Sequence, residues 1–330
     1  MLILTASDVS EVFGMREAFE SVREAAVAHV EARTAVPPRV ALRTAETDGE
    51  FLVMPGVVDA SVFGTKVWFA FPEAHGSVPA TAAMILLVDP GSGQEVLMDG
   101  SVITDMRTGA MTGLAAERLA PEGATTLAVI GTGIQARTQA LALLHALPAI
   151  ETIRVTSRSA DRRQRFAGGL AAEVAREHRD RAVRVVAVDD GEGAVAGAQV
   201  VVAATTSAVP VIEDSWLDGD VLVCSVGSHD PRSAEIAPAT VGRASTVVVD
   251  TYVGGATGAG DVSGPIASGL LDPGSVIELG DLLLGRRSPS RVGVRIFKSV
   301  GFAAADVACA RAVLTAARKR RLGRDVALHS

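Results

Sequence analysis

Three basic side chains stand in short patterns that could hold an anion: Arg39 in PPRV, Lys66 in FGTKVW and Arg107 in TDMRTGA. A guanidinium grips a carboxylate through two parallel hydrogen bonds. An ammonium is a compact charge whose pKa falls on burial, so a lysine in a concave site can pass a proton. Arg107 is followed by Thr108, Gly109 and Ala110, small residues that permit close approach. Lys66 lies in a run that reads as a strand, with Gly64 and Trp68 sharing its face. Residue types alone point to an anionic substrate, and each cation taken singly would serve equally well as a surface charge.

A second stretch, LAVIGTGIQAR at 127–137, carries different chemistry. Leu127 to Ile130 fit a buried parallel strand, Gly131, Gly133 and Ala136 supply a G-x-G-x-x-A pattern, and a helix follows from Gln139 to Leu147. The first glycine makes the tight turn, the second admits a pyrophosphate to the backbone, and the small third residue lets helix and strand pack closely. Gly131, Thr132, Gly133, Ile134 and Gln135 would then form the phosphate loop, with free amides at the helix N-terminus facing the anion. The plainer alternative is a tight turn in an α/β domain.

These groups need a framework. Asp8 and Glu11 have capping-box spacing before apolar residues at helical spacing from Met15 to Val30. Strand-like runs follow at Arg39–Leu42, Phe51–Met54, Val62–Phe69 and Ala83–Val88, separated by turns at Asp48-Gly49, Pro55-Gly56 and Asp89-Pro90-Gly91. This predicts an antiparallel sheet with one leading helix. A helix from Asp105 to Leu119 and the connector Pro121-Glu122-Gly123 lead into alternating strands and helices from Thr125 to Asp250, the pattern of a doubly wound parallel sheet. The chain closes on an alanine-rich helix ending in Arg318-Lys319-Arg320-Arg321, read as a solvated, dipole-complementing tail.

Composition bounds the reading. The chain has 330 residues, enough for two cores, with 48% hydrophobic residues and no apolar run of membrane-spanning length. A net charge of −7 argues against a nucleic-acid partner. Cys224 and Cys309 form no metal-ligand spacing and read as reduced, buried residues. The N-terminus lacks the basic and apolar regions of a signal peptide, so a cytoplasmic location is expected. The strand Thr152–Thr156 ends in Ser157-Arg158-Ser159, with Arg162 and Arg163 a turn later, and no acid at its tip to bind a ribose 2′-hydroxyl. A hydroxyl beside guanidinium suits a 2′-phosphate, so NADPH is the expected cofactor, with NADH as the alternative.

PPRV, GTKVW, LLVDPGSG, ITDMRTGAMTGLAAERLA, VIGTGIQAR, AATTS, VGSHDP and FKSVG resemble, in this order, the ornithine cyclodeaminase and mu-crystallin family over nearly the whole chain. The resemblance implies a Rossmann-type doubly wound parallel sheet at 121–294, plus an α+β substrate-binding and dimerisation domain formed by 1–120 with 295–330. It implies a homodimer and an α-amino or α-imino acid substrate. By similarity Arg39 and Arg107 clamp the carboxylate, and Lys66 contacts it or relays a proton. Thr108, Ala204, Thr205, Thr206, Val226 and Gly227 fall on the cofactor side, with Lys298 and Gly301 closing the site. Where cyclodeaminase-type and alanine-dehydrogenase-type members carry an aspartate two residues before the proline, this chain has His229, with Asp230 next. Histidine transfers protons near neutral pH but supplies no fixed negative charge beside an ammonium. Glu50, a candidate for holding a distal ammonium, is offset by two positions against the Met54-Pro55 landmark. The expectation is therefore an NADPH-dependent reductase of cyclic ketimines such as Δ1-pyrroline-2-carboxylate or Δ1-piperideine-2-carboxylate. The alternatives are an ornithine cyclodeaminase, an alanine-type dehydrogenase, or a small-carboxylate binding protein that uses NADPH.

Overall fold

The computed structural model describes residues 1–43, 49–71 and 80–328. Asp48 of the expected Asp48-Gly49 turn lies outside them. In chain order the elements are β1 (Leu2–Leu4), α1 (Ala6–Val12), α2 (Met15–Val30), β2 (Thr34–Ala35), β3 (Val40–Leu42), β4 (Glu50–Val58), β5 (Val62–Ala70), β6 (Thr81–Asp89), β7 (Gln94–Asp99) and α3 (Ser101–Leu119). Then follow β8 (Thr126–Ile130), α4 (Ile134–Ala146), β9 (Thr152–Thr156), α5 (Ala160–Glu177), β10 (Arg184–Ala187), α6 (Gly191–Val195), β11 (Val200–Ala203), β12 (Val221–Ser225), α7 (Pro238–Gly242) and β13 (Thr246–Val249). The chain ends with α8 (Gly260–Ala267), β14 (Ile277–Glu278), α9 (Leu279–Leu283), β15 (Val294–Lys298), α10 (Ala303–Arg320) and β16 (Arg324–Asp325). Residues 1–107 with 302–330 form one compact unit and 108–301 the other. Set beside the sequence boundaries, the differences are the second half of α3 and the strand β15 with the turn that follows it.

The first unit is built on a sheet of order β16-β1-β7-β6-β5-β4-β2, with β3 also paired to β4. Its pairs are antiparallel except β1 with β7. The leading helix is two helices. Thr5 caps α1 by accepting from the Asp8 amide while the Asp8 carboxylate accepts from Thr5, so the capping box sits three residues ahead of the expected Asp8/Glu11 pair. Pro55-Gly56 lies inside β4 instead of turning the chain. The glycine answers to packing: a Cβ at Gly56 would stand 2.8 Å from the Ala303 Cβ of α10. Gly64 is alike, with a Cβ there 2.8 Å from Val307. One face of this sheet, carrying Leu52, Met54, Ile85 and Leu87, is buried. Each such aliphatic side chain contributes about 1.5–3 kcal/mol of burial free energy. Alternation puts Phe63, Met84, Leu86 and Val88 on the opposite face, where they are 37–50% exposed.

The second unit holds a parallel sheet of order β10-β9-β8-β11-β12-β15-β13-β14. Strands β11 (VVVA), β12 (VLVCS) and β13 (TVVV) are buried along their whole length, which is why they read as continuous β-branched runs without alternation. Among the described residues no helix is long and apolar enough to cross a membrane. Cys224 and Cys309 are free and buried, and burial pushes both thiol pKa values up.

Candidate active site

In the first unit, α10 threads one carboxylate between two of the cations singled out by the sequence. Lys66 projects from the buried face of β5, and its Nζ lies 2.9 Å from Asp306 Oδ1 and 2.8 Å from Oδ2. Arg107, in α3, donates from Nε to Asp306 Oδ1 at 3.0 Å. All three side chains are buried. Asp306 is a lone acid in the alanine-rich stretch FAAADVACA, and among those buried neighbours it needs fixed cationic partners. Burial raises its pKa, but Arg107 and Lys66 outweigh that and hold it below the ordinary carboxylate value. For Lys66, burial, then repulsion from Arg107, outweigh attraction to Asp306, with Arg39 adding to the repulsion; its pKa falls to about 8. The cluster thus sets a lysine on the edge of titration at neutral pH, beside a guanidinium whose Nε is fixed by the same carboxylate. That fixing leaves the Arg107 Nη edge to receive an oxyanion.

Arg39, in the segment before β3, is half-buried. Glu50 accepts from Arg43 Nη2 at 2.5 Å, so its carboxylate is paired across the β3–β4 ladder.

In the second unit the glycine loop has the shape its spacing implied. Gly131 has φ +120°, and a Cβ there would stand 2.4 Å from the Ala204 carbonyl oxygen. Gly133 is the N-cap of α4, and a Cβ added to it would meet no heavy atom within 4 Å, so a phosphate can lie against backbone amides. Thr132 is half-buried and Ile134 exposed at the mouth of this loop, with Gln135 behind them. These features fit a dinucleotide pyrophosphate.

Two further loops are tied together by a buried charge network that the sequence did not disclose. Glu235 accepts from the Thr205 amide and hydroxyl and from the Gly227 amide, each at 2.8 Å. It also accepts from Ser225 Oγ at 2.8 Å. Lys298 donates to Ser225 Oγ at 2.8 Å and to the Ser228 carbonyl at 2.6 Å, and pairs with Asp261 at 2.9 Å. Asp261 in turn accepts the amides of Glu235 and Ile236. Lys298 is therefore wholly buried beneath the segments of Ala204, Thr205 and Thr206 and of Val226 and Gly227. His229, next to the Ser228 carbonyl that Lys298 holds, is half-buried, and Asp230 pairs with Arg232. Gly301, at φ +76°, donates its amide to Asp250 at 2.5 Å. Glu235, Asp250 and Asp261 carried no motif; their signal is an acid beside small residues, at the end of β13 for Asp250, in the loop after β12 for Glu235 and in the first turn of α8 for Asp261. Thr108 is buried in α3.

The supposed 2′-phosphate group looks different. Arg158 and Arg162 are exposed, and Ser157 donates its hydroxyl to the Ser159 carbonyl. Arg163 is held by the Ser157 carbonyl and Asp189.

The family model for the ornithine cyclodeaminase/mu-crystallin family matches residues 1–321. A Δ1-pyrroline-2-carboxylate reductase of Bacillus cereus is 29% identical over 332 residues, covering 99% of both chains. Among solved structures, the Δ1-pyrroline-2-carboxylate reductase of Thermococcus litoralis in complex with NADH and L-proline superposes with a TM-score of 0.91 at 29% identity, covering 99% of this chain and 100% of that one. An archaeal alanine dehydrogenase dimer with bound NAD gives 0.87 at 26% identity, covering 100% and 99%. The NADPH expectation is corrected by these relatives, which hold NADH and NAD. Its physical weakness is now visible: Arg158 and Arg162 are solvated surface charges, Arg163 is already engaged by the Ser157 carbonyl and Asp189, and the serine hydroxyl is engaged within its own turn. From its first strand to its last long helix, this chain belongs to the ornithine cyclodeaminase/mu-crystallin family.

Proposed function

We propose that the protein is an NAD(H)-dependent reductase of cyclic α-imino acids, with Δ1-pyrroline-2-carboxylate as the model substrate and proline as its product. The observation that carries this reading is the buried Lys66–Asp306–Arg107 cluster: one fixed guanidinium and one ammonium with a pKa of about 8. It is supported by end-to-end similarity to reductases of that name.

In this reading Arg107, with Arg39, holds the substrate carboxylate, and fixing that end sets the imine carbon for attack. Lys66 keeps the imine nitrogen protonated, because an iminium accepts hydride far better than a neutral imine. Below about pH 8 the lysine carries the proton it must give, so it is competent as the acid of imine reduction at neutral pH. His229 assists that transfer. Gly131, Thr132, Gly133, Ile134 and Gln135 hold the cofactor pyrophosphate, while Glu235 and Lys298 fix the Thr205 and Gly227 segments that line it. NADH, when bound, supplies the hydride. We assign substrate binding and dimerisation to the unit of residues 1–107 with 302–330, and cofactor binding to 108–301. The homodimer forms through the apolar outer sheet face of Phe63, Met84, Leu86 and Val88, a contiguous exposed patch of the kind that marks an interface.

The test is oxidation of NADH by purified protein with Δ1-pyrroline-2-carboxylate, beside ornithine with NAD. Turnover of the imino acid supports the reading; turnover of ornithine alone replaces it with cyclodeamination.

A further inference from the structure

The second unit contains a buried cation that the reductase reading does not use. Arg295 is the second residue of β15 and is 2% exposed. Its Nη1 donates to the Arg291 carbonyl at 3.0 Å, whereas Nε and Nη2 are buried with no hydrogen-bond partner among the described residues. A buried guanidinium left so is costly, since a buried polar group without its hydrogen bond keeps the full penalty of losing water, and a charged one more than a neutral one. Burial lowers its pKa, opposed by the charge of Asp220.

The unmatched pair is chemically specific. Nε and Nη2 form the side edge of the guanidinium, the edge that Arg232 uses on Asp230 at 3.0 and 2.7 Å and that Arg137 uses on Glu173. Arg295 also lines a cavity of about 660 Å³, together with Arg118, Arg291, Glu122 and Asp220. The cavity is bordered by the segments that enter β8, β9, β12 and β15, hence at the amino-terminal edge of the parallel sheet. The glycine loop lies at the carboxyl-terminal edge, where cofactors of this sheet type bind. Ser290 and Arg291, which line the cavity, are half-exposed and exposed.

We propose that this cavity is a second ligand site, distinct from that of the reaction, in which the Nε–Nη2 edge of Arg295 receives the carboxylate of a small monocarboxylic acid. Phosphate presents similar oxygens, but its greater charge is opposed by Glu122 and Asp220, which line the same cavity.

The experiment follows thermal unfolding against sodium acetate, with sodium phosphate and sodium chloride in parallel, for the wild type, Arg295→Met, Arg107→Ala and the double variant Arg107→Ala/Arg295→Met. Replacing an unpartnered buried charge by an apolar side chain of similar length stabilises, so Arg295→Met melts higher than wild type without acetate. Acetate then raises the wild-type and Arg107→Ala Tm saturably, by roughly 2 °C at ten times its Kd, raises Arg295→Met by less than wild type, and leaves the double variant Arg107→Ala/Arg295→Met flat. Equal acetate responses in wild type and Arg295→Met, or no response in the wild type beyond that of chloride, overturn the proposal. A saturable response to phosphate and none to acetate overturns the choice of a carboxylate. Should Arg295→Met fail to fold, Arg295→Lys, which keeps the charge and loses the edge, is read in the same way: an acetate response equal to wild type overturns the proposal. Because Arg107→Ala keeps the acetate response, failure here is separable from failure of the reductase reading.

Discussion

Replacing Asp306 by asparagine keeps the shape of the cluster and removes its anion. Lys66 loses an opposite charge at 2.8 Å, while the burial and the Arg107 and Arg39 charges that lower its pKa all remain. An opposite charge at such range is worth roughly one to three pKa units. The Lys66 pKa therefore falls from about 8 by that amount, and protonated lysine disappears at lower pH. Starting from about nine-tenths protonated at pH 7, a one-unit fall leaves about half, and a three-unit fall about one part in a hundred. The assay is kcat/KM for imine reduction against pH. Asp306→Asn should move the alkaline limb to lower pH, with kcat recovering as the medium is acidified, and Asp306→Glu should restore the wild-type limb in large part. Substrate KM should rise as well, because Arg107 loses the acceptor at 3.0 Å that fixes its Nε. An alkaline limb unmoved in a folded Asp306→Asn protein refutes the claim that this carboxylate sets the state of Lys66.

Arg107→Ala should cost about 2–5 kcal/mol in kcat/KM with NADH affinity unchanged; an unaltered kcat/KM removes Arg107 from the substrate site. Gly227→Ala places a Cβ 2.0 Å from the Thr205 carbonyl oxygen, so it should destabilise by roughly 1–3 kcal/mol or more and weaken NADH binding, read by urea unfolding and nucleotide fluorescence. Wild-type values for both would show that the segment is free to shift. Leu86→Arg, on the exposed sheet face, should convert a dimer to monomer in sedimentation; a persistent dimer would assign the interface elsewhere.

The parallel sheet was legible because burial on both faces forces unbroken apolar strands, and the glycine loop because its turn admits so few residues. Both are local constraints written at fixed spacing. Arg107 and Lys66 were legible as cations in unusual settings, though not as partners: Asp306 lies 240 residues from Lys66, and no periodicity announces a contact made across that distance. Glu235 and Asp261 escaped for the same reason: Asp261 meets Lys298, which the resemblance did single out, and the Glu235 amide only through folding. Pro55-Gly56 misled because glycine marks close approach as readily as a turn; here it was the approach of α10. The arginines after β9 misled differently, since a positive charge at a strand tip is no measure of whether it holds a phosphate or is simply solvated.

The measurement closest to the central claim is the steady-state rate of NADH oxidation with Δ1-pyrroline-2-carboxylate, repeated with Lys66→Met. The account requires rapid proline formation by the wild type with NADH and its near-complete loss in a folded Lys66→Met protein that still binds NADH. Full activity in that variant, or ammonia release from ornithine without net change in cofactor and no turnover of the imino acid, would contradict it.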